Sequence, residues 1–121
     1  MVSLLMVSNS DLKNIIIKTL DENKASDIIA IDLEGKTSLA DYMIIASGTS
    51  SRHIQSLSEK VLNELKLYGI PESRIEGEKS SDWKLVDGID LIVHIFNPEK
   101  RKFYELEKIW SEVIPKEKLI I

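Results

Sequence analysis

The chain has 121 residues, of which 43% are hydrophobic and 30% charged, which suits one globular domain and is too apolar for a disordered protein. A formal net charge of −4 disfavours broad attachment to a nucleic-acid backbone and favours a basic protein partner. Without cysteine there is no disulfide or thiolate metal site, and no apolar run approaches the roughly 20 residues of a membrane helix. Since the first ten residues also lack the basic start of a secretory signal, we expect a cytoplasmic single domain over residues 1–121, with its core at about 11–113.

The first part of the chain predicts one helix and two strands. Ser10 is a suitable N-cap, and apolar residues at helical spacing after it predict an amphipathic helix over residues 11–24. Two short β-branched runs, residues 28–31 and 43–46, predict buried strands. The polar stretch between them, residues 32–40, predicts a turn or an irregular link.

A second helix is the clearest element of the sequence. A glycine turn with hydroxyl caps, residues 48–51, precedes apolar residues spaced three or four apart, and Gly69 and Pro71 end the pattern. The apolar positions are Ile54, Leu57, Val61, Leu65 and Tyr68.

The second half of the chain predicts three strands and a last helix. The strands cover residues 74–78, 83–86 and 90–96, and a turn at Asp87 and Gly88 pairs the last two as a hairpin. Asn97 as N-cap and Pro98 as first residue begin the helix, which Pro115 ends. Its apolar face holds Phe103, Leu106, Trp110 and Val113. The apolar tail, residues 119–121, packs back on the body or joins a partner.

This order of elements predicts an α/β fold, in which helices flank one mixed sheet of about five strands in a single domain. Both histidines lack metal-ligand neighbours. We expect His94, inside an apolar strand, to be structural and His53 to be solvated. The turn at residues 48–51 fits either simple capping or an anion cradle, but it lacks the lysine and glycine spacing of a P-loop.

The acidic residues of the later strands allow one enzymatic hypothesis. Glu76 and Glu78 share a side of their strand and Asp90 begins another, so three carboxylates on one sheet could hold magnesium for nucleotidyl transfer. Against this hypothesis, a solvated acidic edge needs no metal, and Lys79 and Lys84 nearby compensate its charge. Since no nucleophile, base or phosphate cradle accompanies them, we expect no catalytic residue, no metal and no cofactor.

Trp83 is the strongest candidate for a contact with a partner. It follows a polar run and begins a short strand that carries Lys84 and Asp87. A tryptophan beside acidic groups is typical of an interface anchor, although a core position under the last helix is an equal alternative.

Three blocks of the sequence resemble the ribosomal silencing factors, the Iojap family of bacteria, mitochondria and chloroplasts. Residues 40–52 are ADYMIIASGTSSR, where the family has ADYFVIASGTSSR. Residues 74–83 are RIEGEKSSDW, similar to the family's R-x-E-G followed by a distant W. Residues 90–110 are DLIVHIFNPEKRKFYELEKIW, similar to D-x-V-V-H-x-F and then R-x-F-Y-x-L-E-x-L-W.

The resemblance implies a nucleotidyltransferase-like fold without that superfamily's activity. It also implies binding to ribosomal protein L-fourteen of the large ribosomal subunit, where the bound factor keeps the small subunit away and represses translation when nutrients are scarce. We expect Glu76, Trp83, Lys84, Asp87 and Asp90 to form the contact with the ribosomal protein. Two other hypotheses stay open, a large-subunit assembly factor and a metal-dependent nucleotidyltransferase, and the free protein could be a monomer or a homodimer.

Overall fold

The computed structural model of the protein describes residues 7–36, 38, 40–77, 82–99 and 119–120. Their elements, in chain order, are α1 (Asn9–Glu22), β1 (Ser26–Asp32), β2 (Tyr42–Ser47), α2 (Ser51–Leu67), β3 (Arg74–Glu76), β4 (Trp83–Asp87), β5 (Leu91–Phe96) and β6 (Leu119–Ile120). No helix in this part of the chain is both long and apolar enough to cross a membrane.

Helix α1 begins two residues before the predicted start. The hydroxyl of Ser8 accepts a hydrogen bond from the backbone N–H of Asp11 at 3.1 Å, so Ser8 is the N-cap and the prediction of Ser10 was wrong. Ser10 lies inside the first turn and is exposed. The helix ends at Glu22 and not at residue 24, because Lys24 adopts a left-handed backbone with φ of 71°.

Helix α2 has the predicted caps. The hydroxyl of Ser50 accepts from the backbone N–H of His53 at 3.1 Å. At the other end, Gly69 has φ of 102°, and the N–H of Ile70 donates to the carbonyl of Leu65 at 3.0 Å. This left-handed ending satisfies carbonyls of the last turn and lets the chain reverse toward β3.

The strands form one mixed sheet in the order β3-β4-β5-β2-β1-β6. Strands β2 and β5 are parallel and every other neighbouring pair is antiparallel. The predicted mixed sheet of about five strands is therefore confirmed, with the two-residue β6 as an addition beside β1. Through β6 the backbone of the tail pairs with the body at Ala30 and Ile31.

The hairpin of β4 and β5 is also confirmed, and its register fixes the site. Trp83 lies opposite Phe96, Leu85 opposite His94 and Asp87 opposite Ile92. The turn is closed by a 2.8 Å hydrogen bond from the N–H of Gly88 to the carbonyl of Leu91.

The two faces of the sheet bury different clusters. Helices α1 and α2 cover the first face, where Ile16, Leu57, Val86 and Val93 belong to a large core. The second face holds a smaller buried cluster that contains no residue of α1 or α2, with Trp83 and Ile29 packed at its margin. Its buried members are Ile31, Leu33, Met43, Ile45 and Phe96.

The start of the predicted third helix lies within the described residues. Pro98 and Glu99 are helical, and the side-chain oxygen of Asn97 accepts from the N–H of Glu99 at 2.9 Å, in keeping with the predicted cap. The predicted apolar face, from Phe103 to Val113, lies outside the described residues.

Candidate protein-docking site

The candidate site is the part of the second sheet face formed by β3, β4 and β5. Directly opposite residues of antiparallel strands project to the same face, so the register gathers a defined set of side chains there. The set is Arg74, Glu76, Trp83, Leu85, Asp87, Ile92, His94 and Phe96. Phe96 is buried, Arg74 and Glu76 are exposed, and the others are half-buried. We call this set the β3–β5 face.

Three aromatic rings stack at one end of the β3–β5 face. The ring centroids of His94 and Phe96 are 5.8 Å apart with planes at 9°, and Trp83 lies 6.2 Å from His94 and 6.3 Å from Phe96. The indole N–H of Trp83 donates to Nδ1 of His94 at 3.2 Å. Trp83 packs against the second core while part of its ring stays accessible. Its contact with a partner stays a prediction, and most of the predicted last helix lies outside the described residues.

Gly77 supports the indole from the β3 side. Its φ is 80°, and a Cβ at this position would lie 2.9 Å from the ring carbons Cε3 and Cζ3 of Trp83. Real Cβ atoms do not approach so closely, so only glycine permits both the backbone conformation and the contact. Gly77 was not predicted as a site residue from the sequence. Its occurrence with Trp83 in the family-like block of residues 74–83 could have indicated it.

Lys84 lies inside the domain. Only 3% of its surface is exposed, and its ammonium donates to the carbonyl of Gly77 at 2.9 Å. Since it projects to the helix-covered face beside Val86, its visible role is to hold the turn that carries Gly77 rather than to reach a partner.

Burial shapes the chemistry of His94, for which the sequence predicted a structural role. Desolvation lowers the pKa of His94 from 6.5 to about 4, so the ring is neutral at neutral pH. Because Nδ1 accepts the indole N–H, the ring proton is on Nε2.

The acidic residues divide into two groups. Glu76 and Asp87 lie on the β3–β5 face, where the guanidinium of Arg74 is 3.9 Å from the carboxylate of Asp87. Both side chains are partly solvated, so this ion pair adds little stability. Asp90, by contrast, lies at the start of α1, where Asn9 Nδ2 is 2.8 Å from Asp41 Oδ2 and 3.5 Å from Asp90 Oδ2.

Asp90 therefore does not join Trp83. It precedes Phe96, the partner of Trp83, by six positions, or about 20 Å along a strand. Glu76 lies opposite Leu85, which in turn lies opposite His94, so Asp90 is two strands away from Glu76 and four positions before His94 along the chain. Glu78, the third carboxylate of the magnesium hypothesis, lies outside the described residues. No group of three or more acidic or histidine side chains that could hold a metal occurs in the part of the chain that the structure describes.

The turn before α2 is used for capping. The N–H of Thr49 donates to Nδ1 of His53 at 2.9 Å, and Nε2 of His53 lies 2.8 Å from the carbonyl of Asn23. His53 thus ties the start of α2 to the end of α1. The sequence predicted a solvated side chain, and in the structure it is half-buried and hydrogen-bonded at both ring nitrogens. Since Thr49 and Ser50 are engaged with His53, the turn favours capping over an anion cradle.

Comparison with known proteins assigns the family. The model of the family "Ribosomal silencing factor during starvation" matches residues 7–119. The ribosomal silencing factor RsfS of Zymomonas mobilis is 43% identical over 100 residues, which cover 83% of this chain and 75% of the relative. The factor of the same name from Haemophilus influenzae is 39% identical over 83% of this chain and 98% of its own. The chain belongs to the ribosomal silencing factor family.

Two further matches bear on fold and function. A crystal structure of a protein from Chromobacterium violaceum superposes with a TM-score of 0.81 at 34% identity, over 87% of this chain and 88% of that one. A mouse protein named "Mitochondrial assembly of ribosomal large subunit protein 1" is 35% identical over 81% of this chain and 44% of its own length.

Proposed function

We propose that this protein docks through its β3–β5 face onto ribosomal protein L-fourteen of the large subunit and keeps the small subunit from joining. It then represses translation by occupancy when nutrients are scarce, in the cytoplasm and without a chemical step. Membership of the ribosomal silencing factor family supports this function. We choose this surface because Trp83 is half-buried there and contacts both Gly77 and the ring of His94.

Trp83 has the properties of an interface anchor. Its ring is large, and its orientation is fixed by the hydrogen bond to His94 and by the close approach of Gly77, so little rotamer freedom remains to be lost on binding. Tryptophans held in this way are over-represented among the residues that contribute most to protein interfaces.

Charge supports a basic partner for the same face. Glu76 is exposed and Asp87 is half-buried, with Arg74 as the cation beside them on the face. Together with the net charge of −4, this favours a basic ribosomal protein over bare RNA. Lys84 is buried and Asp90 lies beside Asn9 of α1, whereas Glu76, Trp83 and Asp87 project to the β3–β5 face. We therefore assign the direct contact to Glu76, Trp83 and Asp87.

Two other functions lead to different expectations. A large-subunit assembly factor is favoured by the printed name of the mouse relative and would prefer immature particles. A nucleotidyltransferase would need grouped carboxylates, and Glu76 and Asp90 are far apart. We therefore propose silencing first, assembly second and no enzymatic activity.

The experiment is co-sedimentation of Trp83→Ala with purified large subunits. Loss of a central anchor costs about 2 kcal/mol or more, so binding should weaken by tens of fold while the circular dichroism spectrum is unchanged. Leu67→Ala is the matched control, because Leu67 is 49% exposed at the end of α2, away from the β3–β5 face. Wild-type binding by folded Trp83→Ala protein would refute the proposed surface, and binding to immature particles alone would favour assembly.

A further inference from the structure

His94 carries a hydrogen-bond donor of fixed position at the candidate docking site. A neutral imidazole has one protonated and one unprotonated nitrogen. The hydrogen bonds of the ring determine which nitrogen carries the proton. The indole N–H of Trp83 can only donate, and it points to Nδ1 of His94 at 3.2 Å. Nδ1 must therefore be bare, and the proton must be on Nε2.

The Nε2–H of His94 has no hydrogen-bond acceptor among the residues that the structure describes. Among the residues that the structure describes, Trp83 is the hydrogen-bond partner of the His94 ring, and it contacts Nδ1 alone. The imidazole is half-buried and stacks on Phe96 with planes at 9°. A partly buried donor without an acceptor is unfavourable, and an incoming oxygen atom would relieve this cost.

We propose that Trp83 and His94 act together in recognition: Trp83 fixes the neutral tautomer of His94, and the Nε2–H of His94 donates to an oxygen acceptor of the protein partner. In this unit Trp83 is both an anchor and the positioning residue for the imidazole. The proposal rests on the proposed function, because it needs a partner seated on the β3–β5 face. It adds specificity to that function, since the partner must place a carbonyl, hydroxyl or carboxylate oxygen beside the half-buried indole.

Three substitutions of His94 test the Nε2–H donor separately from the Nδ1 acceptor and from the stacked ring. Glutamine can place an amide N–H near the position of Nε2, asparagine can place its amide oxygen near Nδ1, and phenylalanine keeps the ring alone. Affinity for purified large subunits should fall about ten-fold for His94→Asn and His94→Phe, as expected for one lost hydrogen bond. For His94→Gln it should fall by no more than about three-fold.

The proposal is overturned if His94→Gln binds no better than His94→Asn and His94→Phe, whether all three resemble wild type or all are equally weak. Trp83→Ala in the same assay distinguishes the two failures. If Trp83→Ala loses binding while the His94 variants do not differ, the docking surface stands and the donor role fails. If Trp83→Ala also binds normally, the proposed surface itself fails.

A measurement on the wild-type protein makes the test independent of how the variants fold. Imidazole ¹⁵N chemical shifts at pH 7 distinguish a protonated from a bare ring nitrogen. The free protein should show His94 with a bare Nδ1 and a protonated Nε2. A protonated Nδ1 would overturn the proposal, because the donor would then face the indole and not the partner.

Discussion

At the scale of single residues, the three stacked rings of Trp83, His94 and Phe96 connect the second core to the proposed docking surface. Phe96 is 1% exposed and anchors the stack in the second core, whereas Trp83 and His94 are half-buried. The stack is therefore continuous from the buried cluster to the surface. A change to the imidazole should affect both the free energy of unfolding and the presentation of the indole.

The lowered pKa of His94 predicts a specific dependence of stability on pH. Between pH 6.5 and about 4 the unfolded chain binds a proton at this residue that the folded chain does not bind. The free energy of unfolding should therefore fall as the pH is lowered through this window, by about 2 kcal/mol at pH 5 relative to pH 7.5. Below the folded-state pKa no further loss comes from His94.

Urea unfolding of wild type and of His94→Phe at pH 7.5 and pH 5 measures this contribution. The carboxylates and His53 are present in both proteins, so the difference between the two pH dependences isolates His94. Wild type should lose about 2 kcal/mol more than the variant on acidification. Equal losses would show that the folded protein does not oppose protonation of this ring.

Gly77, directly after β3, supports the candidate site at the scale of secondary-structure elements. Gly77 contacts the indole, and Lys84 holds the Gly77 carbonyl from the other face of β4. These contacts explain physically why a glycine and a tryptophan occur together in the same block of the sequence.

Gly77→Ala and Gly35→Ala form a matched pair that tests the contact between Gly77 and Trp83. Both glycines are left-handed, with φ of 80° and 76°, but a Cβ on Gly35 would meet nothing within 4 Å. Each alanine should cost about 1–2 kcal/mol of backbone strain. Gly77→Ala should cost at least about 1 kcal/mol more, because its methyl group must displace Trp83. Urea unfolding gives both values, and equal losses would contradict the contact.

The elements were largely predictable from sequence because apolar periodicity reports which side of a helix or strand is buried. The start of α1 was not predictable from sequence. Apolar periodicity shows which side of a helix is buried but not which residue is its first, and both Ser8 and Ser10 have a hydroxyl that is able to cap the helix. The choice depends on which hydroxyl meets a free backbone N–H, and that is Ser8.

The candidate site was predictable in part. Trp83 and its acidic neighbours were identified by residue type, whereas the contacts of Trp83 with His94 and Gly77 depend on the register of β3, β4 and β5. Asp90 was grouped with Trp83 because both were predicted to lie on the last three strands, where an aromatic anchor and acidic side chains occur together. The hairpin turn places it at the far end of β5, and periodicity does not reveal that distance.

At the scale of the whole molecule, the two sheet faces have different tasks. Helices α1 and α2 and the large core stabilise the first face, which leaves the β3–β5 part of the second face to present Trp83 with Glu76 and Asp87. A protein of this kind inhibits by occupying a surface. If it acts as proposed, its effect must follow mass action, because it would bind free large subunits and shift their equilibrium with whole ribosomes.

Order of addition in a subunit-joining assay tests this central claim most directly. Joining of purified subunits is followed by light scattering while the protein is titrated, either before the small subunits are added or onto preformed ribosomes. Added first, it should reduce joining in proportion to its amount until about one copy per large subunit, whereas preformed ribosomes should respond slowly, only as they dissociate. Complete inhibition by one copy per roughly a hundred subunits, or rapid splitting of intact ribosomes, would contradict a blocker that acts by occupancy.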